Sequence, residues 1–169
     1  RASYIIEALS AGESETEVSK RFGWTKSKIR ETSRIMELIA DYIAFAATDQ
    51  PDGLGMNELE AKAEANSGYQ YFNEAQKSLW AQLQSDIDFK WQFFRWIHEK
   101  KFKSFQEVRV AWKAWSDDSL RAILLSNDPE ASKKVVAEIN YRNVNQTQQQ
   151  AASKEFERFK KFLENLKAT

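Results

Sequence analysis

Lys20, Arg21, Thr25, Lys26, Ser27, Lys28, Arg30 and Arg34 crowd one short span of this chain, and together they could grip a polyanion. Lysine and arginine neutralise phosphates, and an arginine fork also matches the acceptor pair on a guanine edge. Lys26, Ser27, Lys28 and Arg30 are the types that reach base edges or nearby phosphates. Lys20, Arg21, Thr25 and Arg34 suit the sugar–phosphate backbone. The charge is local. Residues 18–34 hold six basic residues against one acid, Glu31, whereas residues 49–76 hold six acids and one lysine. Over the whole chain 25 basic and 25 acidic residues cancel, so the distribution, not the total, points to a partner.

Positioning these side chains requires two short helices and a tight turn. Val18 and Phe22 are four apart and share one helical face. Gly23 follows, where a turn needs φ > 0 and no Cβ. Trp24 is a buried-type residue in the turn, Thr25 reads as the N-cap of a second helix, and Ile29 points back at the first. Upstream, Ser14 and Glu17 have the spacing of a capping box. The pattern is a helix-turn-helix over 14–36 whose second helix carries a basic, hydroxyl-bearing outer face suited to the major groove.

Residues 8–38, ALSAGESETEVSKRFGWTKSKIRETSRIMEL, resemble the central helix-turn-helix of the ParB-like family. A helix ending in Ala-Leu, a Gly-containing gap, an E-V-x-x-R-F-G turn and a Lys/Ser-rich helix carry the resemblance. Residues 98–124, HEKKFKSFQEVRVAWKAWSDDSLRAIL, are a weaker second echo of a downstream segment in that family. Together they cover about a third of the chain. The resemblance implies duplex DNA as partner, a role in plasmid or chromosome partition or in transcription regulation, and a bacterial, cytoplasmic, nucleoid-associated setting. In that family nucleotide-binding or nuclease chemistry would reside in a preceding ParB domain. The chain starts at Arg1 and not Met, so it is expected to be a fragment.

Other chemistry is poorly represented. No cysteine occurs, which removes disulfides and thiolate metal sites and suits a reducing compartment. His98 is the sole histidine and lies in the basic run IHEKKFK, where a solvated or phosphate-adjacent role is expected. No HExxH, DxDxDG, GxxxxGK[ST] or GxGxxG pattern is present. Asp117-Asp118 reads as helix capping. No cofactor, no metal and no enzymatic activity are therefore expected. No apolar run approaches the ~20 residues needed to cross a bilayer.

Only five glycines and two prolines, with 42% hydrophobic and 30% charged residues, make helix the natural reading throughout. Residues 3–11 form a short helix with Ile5, Ile6 and Leu9 inward, ended by Gly12. The basic helix can run on through Ile35, Leu38, Ile39, Tyr42, Ile43 and Phe45. TDQPDGLGMN, 48–57, is the expected internal boundary. Asn57 caps the next helix and Ser67-Gly68 breaks it. Aromatic-rich helices are expected over 69–84 and 86–99, with Phe89–Trp96 as core rather than a base-stacking platform. Ser104 and Glu107 have capping-box spacing for a helix through Trp115. Pro129 behind Asp128 opens a helix to about Arg142. NVNQTQQQ is a linker or a solvated helical turn, and Phe156, Phe159, Leu163 and Leu166 form a 3-4-3 seam on a last helix. Glu155, Arg158, Lys161 and Glu164 flank that seam.

The expected fold is all-α: a helix-turn-helix lobe over 1–48, a central aromatic lobe over 57–143 and a C-terminal amphipathic helix over 151–169. The leading function is duplex DNA binding. The rival is a helical protein-interaction module whose basic face binds an acidic partner. Lys100, Lys101, Lys103, Arg109 and Lys113 could form a second phosphate-contacting patch or a solvated face. The C-terminal seam is either a homodimer surface or docked on its own domain.

Overall fold

A computed structural model of the protein describes residues 2–167, with side chains described over 4–161, and every element in it is helical. Three helices come first: α1 (Ala2–Ser10), α2 (Glu15–Phe22) and α3 (Lys26–Ala47). Their apolar faces meet in a small cluster of Ile5, Ala8, Val18 and Ile29, with Leu9, Phe22 and Trp24 half-buried at its rim. Ser14 caps α2 and Glu17 completes the box: the Glu17 N–H donates to Ser14 Oγ at 3.3 Å, and the Ser14 N–H donates to Glu17 Oε2 at 2.8 Å. Gly12 and Gly23 end α1 and α2 with φ of 92° and 68°.

Beyond Ile29, α3 turns a different face into a second, much larger cluster. Ile35, Leu38, Ile39, Tyr42, Phe45 and Ala46 pack there with residues of α4 (Glu58–Ser67), α5 (Tyr69–Ser78), α6 (Trp80–Ser85) and α7 (Ile87–His98). The cluster is built on rings. Phe45 stacks on Trp91 with centroids 5.1 Å apart, Tyr42 meets Phe72 and Phe94 edge-on at 5.5 Å each, and Phe89 meets Trp112 at 5.0 Å. Phe89, Phe93, Phe94 and Trp96 are fully buried, as core rather than as a stacking surface. The chain closes with α8 (Phe105–Arg109), α9 (Ala111–Trp115), α10 (Asp118–Leu125) and α11 (Ala131–Lys167).

Several expectations need correction. The turn at 48–57 does not separate two cores; they divide inside α3, between Ile29 and Ile35, because one helix presents apolar residues on two sides. The helix expected over 69–84 breaks at Leu79, and that over 104–115 breaks at Val110, although neither site has glycine or proline. Ser104 and Glu107 do not form a capping box. Glu107 is buried and accepts instead from the Lys103 N–H at 2.7 Å and the Ser132 hydroxyl at 2.8 Å, pinning α8 to α11. The last two expected helices are one. α11 runs unbroken for 37 residues, with NVNQTQQQ as solvated turns inside it. Its first part is anchored by Ala131, Ser132, Val135 and Ile139, and from Gln146 to Lys161 every residue is exposed. Among the described residues no helix is long and apolar enough to cross a membrane.

Candidate nucleic-acid interface

Thr25 opens α3 in extended conformation, its hydroxyl oxygen accepting the Lys28 N–H at 3.2 Å. That cap satisfies an orphan amide and fixes where the helix begins. The face each following residue takes is then set at about 100° per residue. Ile29 is fully buried against α1 and α2. Lys26, Ser27, Arg30 and Arg34 fall within an arc of about 100° on the outer side, so four of the expected residues share one face. Lys26, Ser27 and Arg30 are exposed, and Arg34 is half-buried.

Lys28 does not belong to that face. It is two residues from Arg30, about 200° away around the helix. Its Nζ lies 3.5 Å from Glu31, which also stands 3.8 Å from Lys77 on α5. The remaining sequence-expected residues sit on α2 or at the turn. Lys20 is exposed, and Arg21 pairs with Glu13 at 2.5 Å while lying over the Phe22 ring.

Arg30 is held by a residue that sequence reasoning did not single out. Its Nε donates to Glu15 Oε1 at 3.1 Å and its Nη2 to Glu15 Oε2 at 2.8 Å. The two-pronged hydrogen bond, ahead of simple charge attraction, raises the Arg30 pKa, and its Glu15 partner is held below the ordinary carboxylate value. Arg34 extends over Trp80 of α6, its guanidinium carbon 5.0 Å from the ring centroid. Gln76 and Lys77 of α5 join Ser27, Arg30, Glu31 and Arg34 around a shallow cleft of about 320 Å³. The central helices thus add a cation, Lys77, beside the basic end of α3. Only three-dimensional packing could have revealed it.

Four of the five cations of the second expected patch have partners within the protein. Lys101 donates to the Ser126 carbonyl at 2.5 Å, and Lys103 to the Pro129 carbonyl and Glu130 at 2.9 Å each. Arg109 pairs with Glu74 at 2.5 Å, and Lys113 reaches Asn143 at 3.3 Å. Arg109 thus ties α8 to α5, Lys113 ties α9 to α11, and Lys101 and Lys103 reach the segment between α10 and α11; Lys100, at the end of α7, adopts a left-handed φ of 55°. The His98 ring lies with Nδ1 3.0 Å from Glu64. Of the C-terminal seam, Phe156 and Phe159 are 67% and 58% exposed, so that part does not fold back on the core. Leu163 and Leu166 lie outside the described side chains.

Compared with known protein families, with curated proteins and with solved structures, the chain shows no match in any of the three.

Proposed function

We propose that this chain binds duplex DNA through α2 and the first turns of α3, as part of a ParB-like partition or transcription-regulatory protein. One observation carries the reading: Lys26, Ser27, Arg30 and Arg34 share one arc of an N-capped helix that Ile29, about 110° round from the middle of that arc, docks on α1 and α2. That is the geometry a helix needs to enter a major groove side-chain first. Lys20 and Arg21 flank it for phosphate contacts, and Lys77 extends the cationic rim. Lys28 faces away from the base-reading side and contributes charge alone.

One recognition helix reads few base pairs, so the same reading calls for two copies. We place the homodimer contact on α11. Residues 146–161 form about 24 Å of solvated helix, a length that is marginal in isolation. With Phe156 at a and Phe159 at d of a heptad, Glu155 falls at g and Lys160 at e, so a parallel second copy sets opposite charges side by side.

The test is a binding titration of the intact chain with a labelled random-sequence duplex across a salt series. Log affinity is expected to fall linearly with log salt, with a steep negative slope. On a duplex selected for tight binding, the Lys26→Ala, Arg30→Ala double variant is expected to weaken binding by at least about tenfold, and Lys28→Ala by clearly less. Absence of duplex binding, or an affinity indifferent to salt, overturns the reading. Equal loss from Lys28→Ala overturns the assignment of the face.

A further inference from the structure

Resting on the duplex-binding reading, we propose that Arg30 reads a guanine edge and that Glu15 is the positioning residue that aims it. A guanidinium carries five N–H donors in a rigid plane. Glu15 takes the side-on edge, Nε–H and one Nη2–H. Among the described residues both Nη1–H groups and the second Nη2–H stay free, and one Nη1–H with that Nη2–H forms the end-on edge. That edge presents two parallel donors and can match the O6 and N7 acceptors of guanine in the major groove.

The clamp also fixes direction. An unrestrained arginine side chain loses rotamer freedom on binding, and holding it beforehand removes much of that cost. Here the restraint comes from another helix: Glu15 is in the first turn of α2, fifteen residues from Arg30, so the pair spans the turn at Gly23. Both partners remain reachable, with side chains 55% and 36% exposed. The other acids of this region act differently. Glu13 meets Arg21 at one nitrogen, and Glu31 stands at 3.5 Å and 3.8 Å from two lysines. Among the described residues, only Glu15 takes two nitrogens of one guanidinium. A phosphate offers acceptor oxygens on several sides and depends less on such aiming. A base edge gains a great deal.

The experiment selects preferred sites from a random duplex library with the intact chain. It then titrates the parent, Glu15→Ala, Glu15→Gln, Arg30→Ala and Arg30→Lys against the selected site, against versions with each guanine replaced by adenine, and against an unrelated duplex. Circular dichroism confirms that each variant is folded. The parent is expected to prefer guanine at one position by roughly 5- to 150-fold. Arg30→Ala and Arg30→Lys lose the preference at that position alone. Glu15→Ala binds the unrelated duplex as tightly as the parent or more so, because a negative charge is gone, yet its preference for that guanine falls. Glu15→Gln, which keeps one acceptor oxygen, lies between. If Glu15→Ala tightens binding to every duplex equally with the preference intact, Glu15 is a counter-charge and the positioning role is overturned. If Arg30→Ala weakens all duplexes alike, Arg30 contacts phosphate and the guanine assignment is overturned. An intact chain that binds no duplex at all overturns the underlying reading and this one with it.

Discussion

Lys90 Nζ lies 2.8 Å from Asp41 Oδ2 and joins α7 to α3 at the margin of the aromatic core. The lysine side chain is 10% exposed and the aspartate side chain 34%. The two ends of the pair are therefore not equivalent. Removing Asp41 strands a nearly buried ammonium, whereas removing Lys90 leaves a carboxylate with access to water. Asp41→Ala is expected to cost about 1.5–3 kcal/mol, the scale of a hydrogen bond to a charged group. Lys90→Met, which keeps the buried stem, should cost less than about 1.5 kcal/mol. Urea denaturation of both variants gives the comparison, and equal losses would contradict the asymmetry.

Two glycines make opposite demands. A Cβ on Gly53 would overlap the carbonyl oxygens of Phe45 and Thr48 at the end of α3, and backbone cannot rotate out of the way as a side chain can. Gly53→Ala is expected to cost about 1–3 kcal/mol, towards the upper end. At Gly23 nothing lies within 4 Å of an added Cβ, and the demand is on the backbone, at φ 68°. Gly23→Val should cost about 1–2 kcal/mol. Gly23→Asn, a residue that tolerates the left-handed region, should melt close to the parent. Thermal melts rank the three, and a silent Gly53→Ala would show that the turn after α3 is looser than described.

Asp117 gives acid stability a specific handle. Its carboxylate accepts the Ser119 hydroxyl at 2.6 Å, the Leu120 N–H at 3.1 Å and Arg142 Nη1 at 2.8 Å. The Ser119 hydroxyl first, then the Leu120 amide, hold its pKa down at about 2 from the ordinary 3.8. A carboxyl with a lowered folded value stabilises fully above the unfolded value. The contribution is therefore complete above about pH 4 and lost as pH falls towards 2. Asp117→Asn, which still caps α10, should flatten that acid limb. Unfolding midpoints at several pH values between 5 and 2 check it, and an unchanged slope would remove Asp117 from the acid response.

The assembly expectation is equally direct. The intact chain should scatter light as a dimer, and a chain ending near Gln150, or one carrying Phe156→Glu and Phe159→Glu, as a folded monomer. A monomeric intact chain removes the dimer. A dimer that survives truncation moves the contact from α11 to the central helices.

What could be read from the sequence was what short-range chemistry decides. The Ser14–Glu17 box, the left-handed Gly23, the Thr25 cap and the inward Ile29 each follow from a few neighbouring residues, and each stands where the spacing placed it. The same logic misled at Ser104 and Glu107, because the buried carboxylate takes the local N–H one residue earlier, at Lys103, together with the tertiary Ser132 hydroxyl, in place of the Ser104 N–H. It could not find Leu79 or Val110 as breaks, since neither is a residue type that ends a helix. It grouped Lys28 with Arg30 by sequence proximity, although helical rotation sends them to different sides. Glu15 was legible only as an acid in a first turn. Its partner depends on how α2 crosses α3, which no local pattern encodes.

In mechanical terms α3 is a beam, 22 residues and about 33 Å long, clamped over its later turns in a bed of aromatic rings. The three-helix head rides on its other end, packed among the described residues around Ile5, Ala8, Val18 and Ile29. A rotation of the beam about its own axis turns Arg30 through the same angle as Tyr42. The bearing of α3 on the later helices is thus held where Tyr42, Phe72 and Phe94 interlock, and the head, built on the same helix, shares that reference.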